Sequence, residues 1–378
     1  MIRIPLSAPD IDERDITAVC DVLRTSQLSL GPKLATFEKS IAEYVGVSSA
    51  VAVNSGTSAL HLCLKALGIA EGDEVIVPSF TFIAVANTVR YERAIPVFVD
   101  IDRSTLNLDP NLVESAITNR TKAIIVVHTF GVPAEMNEIL SIAKAHGLAV
   151  IEDACEAIGA EYCGRKVGGL ADAGVFAFYP NKQMTTGEGG ALVTNDPSIL
   201  KKAKTLRNQG VGRSGDWLAH TEVGFNYRIS DINCALGISQ IARLDQILAR
   251  REAVARRYDA ALKSFSDLHR PALVLPDRKI SWFVYAVRLA EQFSSTERDW
   301  IVDQMRALGI GLGRYFGPIH LQPAYAGDQV DALPETEYVA CRTLALPFFN
   351  RLRDEEVDEV CERLRCLVRS VCPTGQRT

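Results

Sequence analysis

The sequence predicts an α/β protein: a large domain on a mainly parallel sheet with helices on both faces, then a smaller α+β domain. Three observations predict it. Short, nearly all-apolar runs alternate with helical patterns over the first two-thirds of the chain. Those runs have no polar face, as strands covered on both sides require. From about Ile241 the texture changes to long charged helical stretches around one strand candidate. The division is expected at 1–245 and 246–378, with the N-terminal segment able to pack on the second part.

The elements follow in order. Ala50–Val53 is short and apolar, and Ser58–Leu67 follows it with Leu60, Leu64 and Leu67 at helical spacing. Glu74–Val77, Pro96–Val99, Ala123–Val127, Ala149–Ile151, Gly174–Phe178 and Ala191–Thr194 read as further strands. Met136–His146 is a helix between two of them, with Ile139, Ile142 and Ala143 on one face. Ile241, Leu244, Leu248, Ala255, Tyr258 and Leu262 make one stripe of a long Arg-rich helix. Trp282–Leu289 then reads as a strand, and Ser295–Leu308 and Asp354–Val368 as helices. The tail Cys372–Thr378 is expected to fray.

Composition narrows the function. The chain has 378 residues, 47% hydrophobic and 23% charged, which argues against disorder. Its 41 Lys+Arg against 46 Asp+Glu leave a net charge of -5, unsuited to non-specific nucleic-acid binding. The early acids Asp10, Asp12, Glu13 and Asp15 argue against a secretory signal, and no apolar run has the length of a membrane span. Nine cysteines lack CxxC or Cys/His zinc spacing, so the expectation is a cytoplasmic protein with reduced thiols and no metal site.

In open α/β sheets, ligands bind beyond the carboxyl ends of the strands. There the chain gathers Asn54-Ser55-Gly56-Thr57 opening a helix, then His128, Asp153, and Lys182 before Gly187-Glu188-Gly189-Gly190. Each has a plain reading: an ordinary N-cap, a capping carboxylate, a surface lysine, a tight turn. The helix start can also hold a phosphate, Asp153 can face a protonated ring nitrogen, and Lys182 can act as nucleophile or base. As a set they match the demands of pyridoxal 5'-phosphate.

Six segments carry a more specific resemblance. They are Asn54–Leu60, Pro78–Phe82, Glu152–Glu156, Phe178–Lys182 with Gly187–Gly190, Gly224–Arg228 and Ile319–Pro323. In this order they resemble the DegT/DnrJ/EryC1/StrS family of pyridoxal-phosphate-dependent nucleotide-sugar aminotransferases. The resemblance implies the aspartate-aminotransferase-like architecture (fold type I) and a homodimer with shared active sites. It makes Lys182 the lysine that carries the cofactor and Asp153 the acid on its pyridine nitrogen. It also makes Phe82 the ring stacked on the cofactor, and Gly56 and Thr57 the phosphate turn. Asn226 would reach the neighbour's phosphate. Arg228, Tyr315 and His320 would approach the substrate.

Two positions depart from the family pattern. Ala177 stands where many members have a serine that bonds the phosphate, so Ser55 is a candidate replacement. Glu156 stands where many have a glutamine facing the cofactor's phenolic oxygen, so it should be protonated or turned away.

The implied reaction moves an amino group from L-glutamate to a nucleotide-linked keto-sugar. The loop Thr185–Gly190 tilts the reading to a 4-keto-6-deoxyhexose, in the manner of perosamine synthases. A C3-specific aminotransferase, a sugar dehydratase and a non-catalytic regulator share the fold. The dehydratase branch has histidine in place of the lysine, and retention of Lys182, Asp153 and Phe82 together speaks against the regulator.

Overall fold

A computed structural model describes residues 2–212, 219–327 and 331–371; the tail expected to fray lies outside the described residues. Seven strands form the main sheet: β1 (Ser49–Val53), β2 (Glu74–Pro78), β3 (Ile95–Val99), β4 (Thr121–Val127), β5 (Ala149–Asp153), β6 (Ala173–Ala177) and β7 (Gly190–Thr194). Their order across the sheet is β1-β7-β6-β5-β4-β2-β3. Only β7 runs antiparallel to its neighbours, so the sheet is mainly parallel, as expected.

Alternation along the strands builds two cores. Ala52, Ile76, Ile124, Val126, Val150 and Phe176 face one side. Val53, Val75, Val77, Ile125, Ile151 and Val175 face the other. Helices Pro32–Val45 and Met136–His146 supply Phe37, Ile41 and Ile139 to the first, and helix Gly56–Ala66 supplies Leu60 and Leu64 to the second. Burial of each such side chain contributes roughly 1.5–3 kcal/mol, which explains the lack of a polar face.

A third core lies in the C-terminal part. A three-stranded sheet, β8 (Leu268–His269), β9 (Tyr285–Leu289) and β10 (Thr343–Leu346), runs in the order β8-β9-β10. Helices Leu244–Leu262, Ser295–Ala307 and Asp354–Val371 pack around it through Tyr258, Ile301, Val357 and Leu364. The N-terminal segment joins this core, with Ile4 fully buried in it and bridged to Ile310. Helix Leu244–Leu262 connects the cores: Leu244 and Ile247 belong to the first, and Val254 to Leu262 belong to the third.

Two expected elements differ. The stripe from Ile241 to Leu262 is not one helix, because helix Asp231–Ile241 stops and a new one begins at Leu244. Arg243 sits at the break with non-helical backbone, its guanidinium bonded to the Asp10 carbonyl and to Asp15. The strand expected from Trp282 begins only at Tyr285. The carbonyls of Trp282 and Phe283 are taken by the buried Arg251, at 2.6 and 2.7 Å, and cannot pair in a ladder.

Candidate active site

The carboxyl ends of β1, β4, β5 and β6 meet at a cavity of about 440 Å³. Ser55, Gly56, Thr57, Phe82, Asp153, Glu156, Lys182 and Tyr315 all line it. Eight sequence-derived residues thus share one space.

The helix start is built for an anion. Ser55 is the N-cap of helix Gly56–Ala66, and its hydroxyl accepts from Ser58 N–H at 3.1 Å. The N–H groups of Gly56 and Thr57 and the Thr57 hydroxyl have no partner among the described residues. At a helix N-terminus such groups present partial positive charge. The backbone here is closely covered. A Cβ on Gly190 would lie 2.5 Å from Ser55 C and O, and one on Gly56 would lie 2.7 Å from Ala177 Cβ. Only glycine admits strand β7 this close to the turn. The Ser55 hydroxyl, the candidate replacement for the one missing at Ala177, belongs to a residue that lines the cavity and pairs with Ser58 Oγ at 2.9 Å.

Asp153 ends β5, is almost fully buried, and accepts from Cys155 N–H at 3.0 Å. Burial pushes the Cys155 thiol up, and the nearby Asp153 charge adds to this, so the thiol is a neutral neighbour. Phe82 is 61% exposed, an apolar ring held open in the cavity rather than packed in a core.

Lys182 lies on the loop between β6 and β7. Its ammonium is 3.4 Å from Glu156 Oε1 and 4.0 Å from the centre of the Phe283 ring. Glu156 Oε2 accepts from Phe130 N–H at 3.0 Å. Burial raises the Glu156 carboxyl, against the pull of Lys182. The Glu156 side chain faces the cavity rather than turning away from it. Burial also raises the Tyr315 phenol, with Glu156 contributing.

Four residues lie off the cavity. His128, one of the groups expected at this edge, is fully buried between Glu152 at 3.0 Å and Ala134 N–H at 3.1 Å. Asn226 is exposed, and its backbone bridges Asn208. Arg228 donates to Asn208 Oδ1 at 3.0 Å. His320 is bonded to Ser79 Oγ at 2.7 Å and to Glu337 at 3.3 Å and is not among the residues lining the cavity. Sequence reasoning missed Phe283 and Phe316, which line the cavity from the C-terminal part. The Trp282–Leu289 segment absorbed Phe283 as a strand residue, in phase with the buried Tyr285, Val287 and Leu289. Among the described residues, no cluster of three or more His, Cys, Asp or Glu could hold a metal ion, and no helix is long and apolar enough to cross a membrane.

A model of the DegT/DnrJ/EryC1/StrS aminotransferase family matches residues 9–365. The chain belongs to that family. It is 43% identical to the GDP-perosamine synthase of Caulobacter vibrioides over 364 residues, covering 96% of this chain and 97% of that one. The spore coat polysaccharide biosynthesis protein SpsC of Bacillus subtilis is 38% identical, with 97% of each chain covered. The structure of Spr1654 from Streptococcus pneumoniae in its PLP form superposes with a TM-score of 0.92 at 31% identity, over 97% of this chain and 99% of that one. The protein is a pyridoxal-phosphate-dependent sugar aminotransferase with the fold the resemblance implied. The cavity fits that cofactor: free anion donors at the helix start, a ring platform, an acid and a lysine converge in it.

Proposed function

We propose that the enzyme transfers the amino group of L-glutamate to C4 of a nucleotide-linked 4-keto-6-deoxyhexose, in the cytoplasm. The observation that carries the sugar reading is the 43% identity to GDP-perosamine synthase along nearly the whole chain. All eight described cysteines are free thiols, which suits a reducing compartment.

In this reading Gly56 and Thr57 hold the cofactor phosphate, Phe82 covers one ring face, and Asp153 keeps the ring nitrogen protonated. When bound, pyridoxal phosphate supplies a carbonyl that takes up the amino group and a ring that accepts the electrons released at the substrate carbon. Lys182 Nζ takes a proton from the α-carbon of the donor in the first half-reaction and delivers one to the sugar carbon in the second. Tyr315 and Phe316 narrow the cavity and exclude water. Two chains form the working unit, with Asn226 and Arg228 of each serving the other's site; their positions off this chain's own cavity support that role.

The test is a panel of 3-keto and 4-keto nucleotide sugars with L-glutamate, with the new amino group located by NMR. Amination at C3 overturns the regiochemistry; amination of none overturns the function. Lys182→Ala should abolish turnover and the absorbance of the lysine-bound cofactor.

A further inference from the structure

We propose that Phe283 is a positioning residue for Lys182, its ring face holding the lysine's ammonium form in place while the lysine is free. This rests on the reading of Lys182 as the cofactor lysine.

The geometry is specific. Lys182 Nζ sits 4.0 Å from the Phe283 ring centre, and Phe283 is almost fully buried. The ring has one neighbour stacked on it, Tyr315, at 6.3 Å and 13°. The backbone that presents it is held from both parts of the molecule. Arg251 donates to the carbonyls of Trp282 and Phe283, and Asn350 accepts from its third arm at 3.1 Å. Gln183, next to the lysine, donates to Ser281 O at 3.0 Å and to Glu156 O at 2.6 Å. Ser281 N–H reaches Gly131 O at 3.0 Å. A buried guanidinium with no carboxylate partner is costly; here Arg251's donors are spent on fixing this turn.

The chemical need follows from the reaction. Lys182 must leave the cofactor, gain a proton as ammonium, and return, without drifting out of a cavity of about 440 Å³. An ammonium over a desolvated aromatic face is attracted to it, while a neutral amine is much less so. The π face therefore strengthens at the moment the lysine is charged. The titratable groups that share its surroundings are Glu156, Asp153 and Cys155 from the end of β5, Tyr179 and Glu188 from its own loop, and Tyr315 from the C-terminal part.

The experiment uses full-length cofactor-free protein. Reductive methylation of Lys182 by formaldehyde and borohydride is followed against pH by peptide mass spectrometry. Phe283→Leu keeps apolar bulk and loses the π face. It should lower the pH at which labelling is half-maximal by about one unit, and Phe283→Tyr should restore it. In the loaded enzyme, Phe283→Leu should lower kcat several-fold with KM for L-glutamate unchanged. An unmoved labelling midpoint in Phe283→Leu, or equal shifts in the Leu and Tyr variants, overturns the proposal. Lys182→Ala run in parallel separates the two levels: residual turnover there refutes the lysine's role, whereas a dead variant with an unmoved Phe283→Leu midpoint refutes only Phe283's.

Discussion

Glu152→Gln replaces one buried atom and should cost a large part of the protein's stability. Glu152 is fully buried and accepts four hydrogen bonds: Gly168 N–H and His128 Nε2 on Oε2, and Leu170 N–H and Ala171 N–H on Oε1. His128 cannot yield, because its Nδ1 already accepts from Ala134 N–H, which leaves Nε2 as the donor. A glutamine has one accepting oxygen. Whichever way its amide is turned, an NH2 group faces two donors. Two orphaned buried donors at about 1–3 kcal/mol each give roughly 2–6 kcal/mol. That is a substantial share of a typical net stability of about 5–15 kcal/mol. The assay is urea denaturation of the full chain, with exposed Glu362→Gln as control. A loss below about 1 kcal/mol would show that the local network relaxes and that the donor count is the wrong measure.

Further outcomes follow from the same geometry. Gly190→Ala should weaken cofactor retention at least tenfold in equilibrium titration, since its methyl meets Ser55 backbone at 2.5 Å and overpacking costs about 1–3 kcal/mol. Ala177→Ser should tighten cofactor binding roughly tenfold or more by adding a charge-assisted hydrogen bond to the phosphate; unchanged affinity would place the phosphate elsewhere. Glu156 has a folded-state proton affinity raised by burial above the ordinary 4.5. Its contribution is therefore most favourable below that value and declines as pH rises through the folded-state value. Urea midpoints of Glu156→Gln and the parent should diverge in the variant's favour across that window; parallel curves would refute the assignment. Finally, Lys182→Ala and Asn226→Ala chains, each inactive alone, should regain roughly a quarter of full activity when mixed and reassociated, if sites are shared across a two-fold dimer.

Much of the fold was legible because the strands have no exposed face. Val53, Ile125, Ile151 and Val175 announce a doubly covered sheet by composition alone, and the ligand edge then follows from strand direction. Legibility failed where backbone groups are claimed by distant side chains. Nothing near Trp282 reveals that Arg251 will take its carbonyl, or that Arg243 will end a helix by reaching Asp10 and Asp15. His128 shows the same limit from the other side. It sits one residue past β4, where a functional group belongs, and only the packing against Glu152 and Ala134 removes it. The wall supplied by Phe283 was hidden for a related reason, since residues distant in sequence meet there.

Strand β7 runs against its neighbours, and this has a consequence for how the lysine segment is attached. Ala177 and Gly190 face each other as the last rung of the β6–β7 ladder. The lysine segment therefore leaves and re-enters the sheet at a single point, like a clasp hung from one hinge. On that loop Asn181, Lys182, Glu188 and Gly189 line the cavity, while Gln183 to Thr186 between them are buried and tie the loop to the core. The cavity-lining stretches before and after the buried turn thus share one loop and one point of attachment to the sheet.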